Sequence, residues 1–247
     1  MKHVRNFDSI NEKLAIFKLK ANLFFRILFK NKKQEITIIK GCNNKSKENL
    51  HFTIGYIDHN SEVHEEYLGP CLKKLKGDFD LIYTDSQKFP ADNYNKIIEK
   101  CSTQFLILTH QDVTFSDDLL ERLEETIKLA PNFGAIGLVG VNKDGVCKFS
   151  KTEGIFELDT LDCCFIMINC QHSLKFNSKI FHEYHLYVED YCAKQKVLGK
   201  KTYTILLNEN SYIKHHSHTW NLLGACWGNY KYFSKIFSRM WPDIKTT

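Results

Sequence analysis

From His51 onward the chain alternates short apolar runs of β type with stretches of helical spacing, and this alternation restricts the fold more than any other feature. HFTIGYI at residues 51–57 precedes a helix-period segment at 61–76 that Gly77 closes. FDLIYTDS repeats the strand signal, ADNYNKIIEKCS the helix, and QFLILTHQDVTF carries a third strand into polar residues. The order βαβαβ implies parallel strands joined by right-handed crossovers, which gather ligand-binding loops at the carboxyl ends of the strands. The residues at those ends are Asp58, His59 and Asn60, then Thr84, Asp85 and Ser86, then His110, Gln111 and Asp112.

Further along, Ser116-Asp117-Asp118 caps a helix expected to run through Leu129 and stop at Pro131, and GAIGLVGV reads as a buried strand. DGVCKFS and GIFELDT have the texture of a hairpin-like insertion, and LDCCFIMI is a strong strand. Residues 181–198 are expected to be helical with Gly199 as terminator, and KTYTILL forms a last strand that leads into KHHSHTW.

At 247 residues and 43% hydrophobic, the chain is long and apolar enough for one sizeable α/β domain with terminal additions. Four prolines and twelve glycines exclude a collagen-like or Pro/Gly-rich disordered chain. A net charge of +5 is too mild to require nucleic acid, and no nucleic-acid partner is expected. The nine cysteines include no C-x-x-C pair, which argues against a zinc knuckle. Several, such as Cys163 and Cys164, sit in apolar runs as small hydrophobes, so a reduced, cytoplasmic compartment is expected. No apolar run reaches the roughly 18 to 20 residues of a bilayer-spanning helix, and no signal-peptide cleavage pattern is present.

Charge is concentrated at the N-terminus, where seven Lys/Arg and no acid lie between Lys13 and Lys33. Leu14, Phe17, Ala21, Phe24, Phe25 and Leu28 recur there at helical spacing, and residues 43–49 form a polar linker. Tyr230, Phe233, Ile236, Phe237 and Met240 repeat the pattern among Lys231, Lys235 and Arg239. Each basic, aromatic-rich helix fits either docking on the domain or peripheral contact with an anionic membrane.

No G-x-G-x-x-G and no G-x-x-x-x-G-K-[ST] occurs, so the usual glycine cradles for phosphates are missing. Asp112 stands at the mouth of the apolar strand FLIL, where a carboxylate is costly unless a divalent cation sits above it; the alternative is an aspartate capping the next helix. Glu189-Asp190 offers Asp190 as a general base, or reads as a solvated acidic pair. His215, His216 and His218 supply metal-ligand chemistry or a surface histidine cluster, and Asp162 is a functional carboxylate or an edge residue.

Taken in order, LILTHQDVTF, LDCCFIMI, HLYVEDYC and HHSH resemble the glycosyltransferase-like group of the family-2 glycosyltransferases, over roughly residues 51–220. The resemblance implies a GT-A type α/β fold with a Rossmann-like, mostly parallel central sheet flanked by helices. Residues 1–50 would be the basic helix and linker, 51–140 the nucleotide-binding half, 141–220 the acceptor-binding half and 221–247 the C-terminal helix. It implies transfer of a sugar from a UDP- or GDP-type donor to a hydroxyl of a glycan or lipid-linked acceptor, for polysaccharide biosynthesis at the cytoplasmic face of a membrane. Asp112 corresponds to the last acid of the metal-binding D-x-D, with His110 in the first acid's place, and the cation would be Mn²⁺ or Mg²⁺. His216, with His218 as the alternative, falls where some members contact metal or diphosphate.

Asp58, Asp85, His110, Gln111 and Asp112 would bind donor, and Asp162, His185 and Glu189 acceptor. Asp190 falls at the base of an inverting single displacement. His110, where an acid is usual, leaves open a second reading, a catalytically inactive nucleotide-sugar or glycan binding module. The chemistry suits these residue types, because a departing nucleoside diphosphate needs positive charge and an attacking alcohol needs a proton acceptor.

Overall fold

The structure is a computed structural model that describes residues 35–42, 50–85, 89–148, 154–172, 174–182, 185–216 and 223–246. The basic N-terminal segment, the linker at 43–49 and His218 lie outside the described residues.

Eight strands form one mixed sheet flanked by helices, the α/β class expected from the sequence. The first strand, β1 (Ile36–Cys42), has no counterpart among the expected strands. β2 (His51–Ile57) lies in the middle of a parallel trio with β3 (Asp78–Thr84) and β4 (Phe105–Thr109), and β1 pairs antiparallel with the outer side of β3. Phe52 stands in register with both Phe79 and Phe105. All five residues of β4 are buried, as a strand covered on both faces requires.

The helix-period segment after β2 is two helices, α1 (Ser61–Glu66) and α2 (Leu68–Lys74). Pro70 explains the break, because a continuous helix would drive its ring into the Glu66 carbonyl and would lack the N–H that bonds there. Asn60 starts α1 by accepting hydrogen bonds on Oδ1 from the Glu62 and Val63 N–H groups at 3.1 and 3.4 Å. α3 (Pro90–Lys100) crosses β2 where Gly55 has no side chain, since a Cβ there would stand 2.6 Å from Ile97 Cγ2.

After β4 come a short strand β5 (Val113–Phe115), α4 (Leu119–Leu129) and β6 (Phe133–Gly137). GAIGLVGV divides at Leu138. Its second half, β7 (Val139–Asn142), leaves for a small antiparallel sheet with β8 (Gly145–Lys148) and the strand Thr160–Leu161. Gly140 permits that crossing, because a Cβ on it would lie 2.0 Å from the Thr160 carbonyl oxygen. The expected hairpin-like insertion holds β8 and β9 (Glu157–Leu158), with β10 (Thr160–Leu161) at its end, and β8 pairs with β7 outside it rather than with β9.

β11 (Phe165–Asn169) inserts antiparallel between β4 and β6, with Met167 opposite both Ile107 and Ile136. β12 (Lys201–Thr204) runs parallel to β6 and closes on β9. One sheet therefore passes through both expected halves, with β2, β3, β4, β6 and β12 running one way and β1, β9 and β11 the other.

The helix expected at 181–198 is shorter. α5 (Tyr187–Val197) begins only after Leu186, which is fully buried and left-handed at φ 67°, a conformation no α-helix contains. The first two turns of α5 are buried almost all round, so it presents no solvent stripe. α6 (Leu223–Met240) docks on the domain through Phe233 and Phe237, whose rings lie 6.1 and 6.3 Å from that of Phe181. Of the two readings of this helix, domain docking is the one observed, and it leaves Lys231, Lys235 and Arg239 exposed. No helix of the described residues is long and apolar enough to cross a membrane.

Candidate functional site

The site grows from the carboxyl end of β4. Thr109 is the last buried residue of the strand, and His110-Gln111-Asp112 turns the chain into β5. Two ties hold this turn: the His110 N–H donates to the Cys164 carbonyl at 3.0 Å, and the His216 N–H donates to the Asp112 carbonyl at 2.9 Å. β13 (Ile213–His215) pairs antiparallel with β5, setting His215 opposite Val113 and so beside Asp112.

The result is a compact cluster. Asp112 is 7% exposed, and its Oδ1 lies 3.3 Å from His215 Nε2. The His110 and His215 rings meet edge to face, 5.5 Å apart at 71°. One ligand atom from each of His110, Asp112 and His215 falls within 4.8 Å of the others, and among the described residues this is the one such group. His110 Nε2 is buried with no hydrogen-bond partner, as a nitrogen reserved for a ligand would be.

The protonation states suit a cation. Burial pushes the His110 pKa down, and the neighbouring His215 adds to the effect, so the ring is neutral with a free lone pair at neutral pH. Burial alone would raise the Asp112 carboxyl, but the hydrogen bond and charge of His215, with His110, outweigh it and hold the group at about 2. His215 is pushed down by burial and pulled up more strongly by Asp112, ending above the ordinary histidine value.

Gln111 points the other way. Its Oε1 accepts from the His59 and Asn60 N–H groups at 3.0 and 3.2 Å, clamping the loop after β2 to the end of β4. Asp58 sits in that loop, its N–H bonded to the Thr84 carbonyl at 2.7 Å and its Oδ1 buried with no hydrogen-bond partner. Burial lowers the His59 pKa, partly offset by Asp112 and Asp58. Asp85 is exposed at the end of β3, on the rim.

Because β11 runs antiparallel to β4, with Phe165 opposite Thr109, the residues entering it also lie at this end of the sheet. Asp162 is one of them, with Oδ1 accepting the Cys164 N–H at 2.8 Å. The charge of Asp162 acts upward on the pKa values of His110, His215 and His185 alike. His185 packs edge-on against Tyr230 at 5.4 Å, and its pKa is lowered by burial with Asp162 opposing. Glu189 is buried at the first turn of α5.

Asp190 and His216 stand apart from the cluster. Asp190 is 0% exposed: Oδ1 accepts the Trp241 Nε1–H at 3.0 Å, and Oδ2 pairs with Lys194 Nζ at 2.5 Å. In this conformation it does not meet an acceptor hydroxyl. On a helix, adjacent residues diverge by about 100°, and this one faces the segment after α6. His216 is likewise turned away from Asp112, with Nε2 2.9 Å from Thr114 Oγ1 and its ring 4.3 Å from that of Tyr67. Successive strand residues face opposite sides, so when His215 joins the cluster His216 leaves it. Nothing in the spacing of the three histidines distinguishes the two; strand alternation would have done so only if β13's partner were known.

No protein-family profile and no curated protein matches the chain. Among solved structures it is similar to S. aureus TarS 1-349, at 15% identity and TM-score 0.47, with 66% of this chain and 60% of that one covered. It is also similar to the mannosyltransferase PcManGT from Pyrobaculum calidifontis in complex with GDP-Man and Mn²⁺, at 10% identity and TM-score 0.49, over 96% and 77% of the two chains. A third likeness is to A197 from STIV, at 11% identity and TM-score 0.44, over 67% and 85%. The chain spans about 60% of the length of the TarS fragment it matches.

Proposed function

We propose that this chain is a glycosyltransferase that uses a nucleotide-diphosphate sugar, with His110, Asp112 and His215 holding a divalent cation against the donor. The observation that carries the reading is the three-residue cluster itself, at the carboxyl end of parallel strands where ligands of α/β sheets bind. The residues fit a cation on two grounds: a buried imidazole nitrogen without a partner, and a carboxylate kept ionised. Two imidazoles and one carboxylate favour Mn²⁺ over Mg²⁺, which prefers oxygen ligands throughout. When bound, such a cation neutralises the charge that develops on a leaving diphosphate.

The chain's own groups supply the rest. Gln111 fixes the loop that carries Asp58, and the unpartnered Oδ1 of Asp58 is free to accept from the donor's base or ribose. Asp162, half-buried and oriented by the Cys164 N–H, takes the proton of the acceptor hydroxyl, a role worth about 10²- to 10⁴-fold in rate. Asp190 becomes a positioning residue that ties α5 to the segment after α6. Attack in one displacement would invert the anomeric configuration. A UDP- or GDP-sugar as donor, a glycan or lipid-linked alcohol as acceptor, polysaccharide biosynthesis and a place at the cytoplasmic face of a membrane complete the reading.

The sealed carboxylate of Asp190 favours a second reading, a module that binds nucleotide sugars without turnover. Calorimetry with UDP- and GDP-sugars and Mn²⁺, paired with donor hydrolysis and transfer assays, separates the two. The transferase reading expects binding and turnover, with Asp112→Ala losing both and Asp162→Asn losing turnover alone. Binding without turnover in the native chain supports the module, and unchanged rates in both variants refute the site.

A further inference from the structure

At the opposite end of β4 from His110, two cysteines distant in sequence touch. Cys101 closes α3, its N–H bonded to the Ile97 carbonyl at 2.9 Å, and Cys170 follows β11, its N–H bonded to the Gln104 carbonyl at 2.7 Å. The pairing of β11 with β4, Asn169 opposite Phe105, brings these two segments side by side. The Cys170 thiol donates to Cys101 Sγ at 3.6 Å.

We propose that Cys101 and Cys170 are a redox-active dithiol that reduces hydroperoxides and closes to an intramolecular disulfide. Both residues are half-buried, so the pair is within reach of a small oxidant, whereas Cys71, Cys164 and Cys192 are buried. Thr103 lines the other side of the reacting sulfur, its Oγ1 3.4 Å from Cys101 Sγ and within 2.8 Å of Thr53 Oγ1. The thiol of Cys170 is the donor to this sulfur, and a donor there favours the thiolate, the form that attacks. The hydrogen bond from Cys170 is the main reason the Cys101 thiol sits at about 6, with Thr103 and Thr53 helping and burial opposing. Burial pushes the thiols of Cys163 and Cys164 well up instead.

The step balances. The Cys101 thiolate attacks the outer oxygen of a hydroperoxide, the O–O bond breaks, Cys101 becomes a sulfenic acid, and the alkoxide leaves and takes a proton to become an alcohol, or water when the oxidant is hydrogen peroxide. The Cys170 sulfur then attacks the sulfenic sulfur, the S–S bond forms, the S–O bond breaks, and the leaving hydroxide takes the Cys170 proton as water. Two thiols lose two electrons and the peroxide gains them. The bond would join two segments 69 positions apart, at the foot of the strand whose other end carries His110 and Asp112. Closing so long a loop is expected to raise Tm by about 5–10 °C.

The test uses the full chain. It is reduced, treated with hydrogen peroxide under native conditions, alkylated and digested for mass spectrometry. The expected product is a cross-linked peptide pair containing Cys101 and Cys170, lighter by two hydrogens than the reduced pair and restored by dithiothreitol. Cys170→Ser, checked for folding by circular dichroism, is expected to accumulate sulfenic acid on Cys101, trapped by a dimedone-type reagent. In the untreated chain, the alkylation rate of Cys101 is expected to plateau above a midpoint near pH 6, and in Cys170→Ser that midpoint moves upward. Full alkylation of both cysteines after peroxide, or a cross-link to other cysteines only, overturns the proposal. So does a Cys101 midpoint at the ordinary thiol value in the native chain, whether or not the variants fold.

Discussion

Replacing Asp112 by Asn keeps the shape of the side chain and removes its charge, which makes it the sharpest probe of the site. The carboxyl is held at about 2 against an ordinary 3.8, chiefly because the favourable contacts with His215 and His110 exceed the cost of burial. A displacement of that size corresponds to about 2 kcal/mol, and allowing for solvent screening leaves about 1–2 kcal/mol. Because the folded-state value lies below the unfolded one, this contribution is complete above about pH 4 and fades as pH falls toward 2. Urea unfolding in chelator across pH 2–7 should therefore show native stability declining below pH 4 more steeply than that of Asp112→Asn. In a double-mutant cycle with His215→Gln, the two changes should be non-additive by a similar amount at pH 5 to 6. At neutral pH, Mn²⁺ binding by calorimetry should weaken at least tenfold in Asp112→Asn. Parallel acid limbs and additive single variants would refute the view that Asp112 and His215 form one electrostatic unit.

Trp241→Phe takes the indole donor from a fully buried carboxylate oxygen of Asp190 and is expected to cost about 1–3 kcal/mol in urea unfolding; a loss under 0.5 kcal/mol would mean that Asp190 finds another partner. Met167→Ala, at the centre of the sheet between Ile107 and Ile136, should cost about 2–5 kcal/mol by the same measurement. Gly55→Ala sets a methyl against Ile97 and Leu108 and should destabilise by about 1–3 kcal/mol, read as a fall in Tm. His110→Ala should remove most of the Mn²⁺ affinity, since it deletes the buried Nε2 that bonds to no protein group. Unchanged Mn²⁺ binding would contradict that.

The trio β2, β3 and β4 was legible because strands covered on both faces are mostly apolar, β4 nearly without a break and β2 and β3 around Thr53 and Asp80, and a helix between two such strands keeps its own period. The docking face of α6 was legible for the same reason, with Phe233 and Phe237 one turn apart. The break between α1 and α2 was written in Pro70 but hidden by an otherwise continuous helical period. The late start of α5 was not written locally, because only surrounding side chains hold Leu186 left-handed.

The order of residue types along the chain, by itself, determined the alternation of strands and helices and the position of His110-Gln111-Asp112 where an apolar strand ends. Local periodicity reports which face of an element is apolar, and little else. Tertiary structure alone decided that β11 enters between β4 and β6, that His215 rather than His216 turns toward Asp112, and that Trp241 closes over Asp190. It alone brought Cys101 against Cys170. These are meetings of segments tens of residues apart, set by strand register and core packing, and no window of neighbouring residues contains both partners.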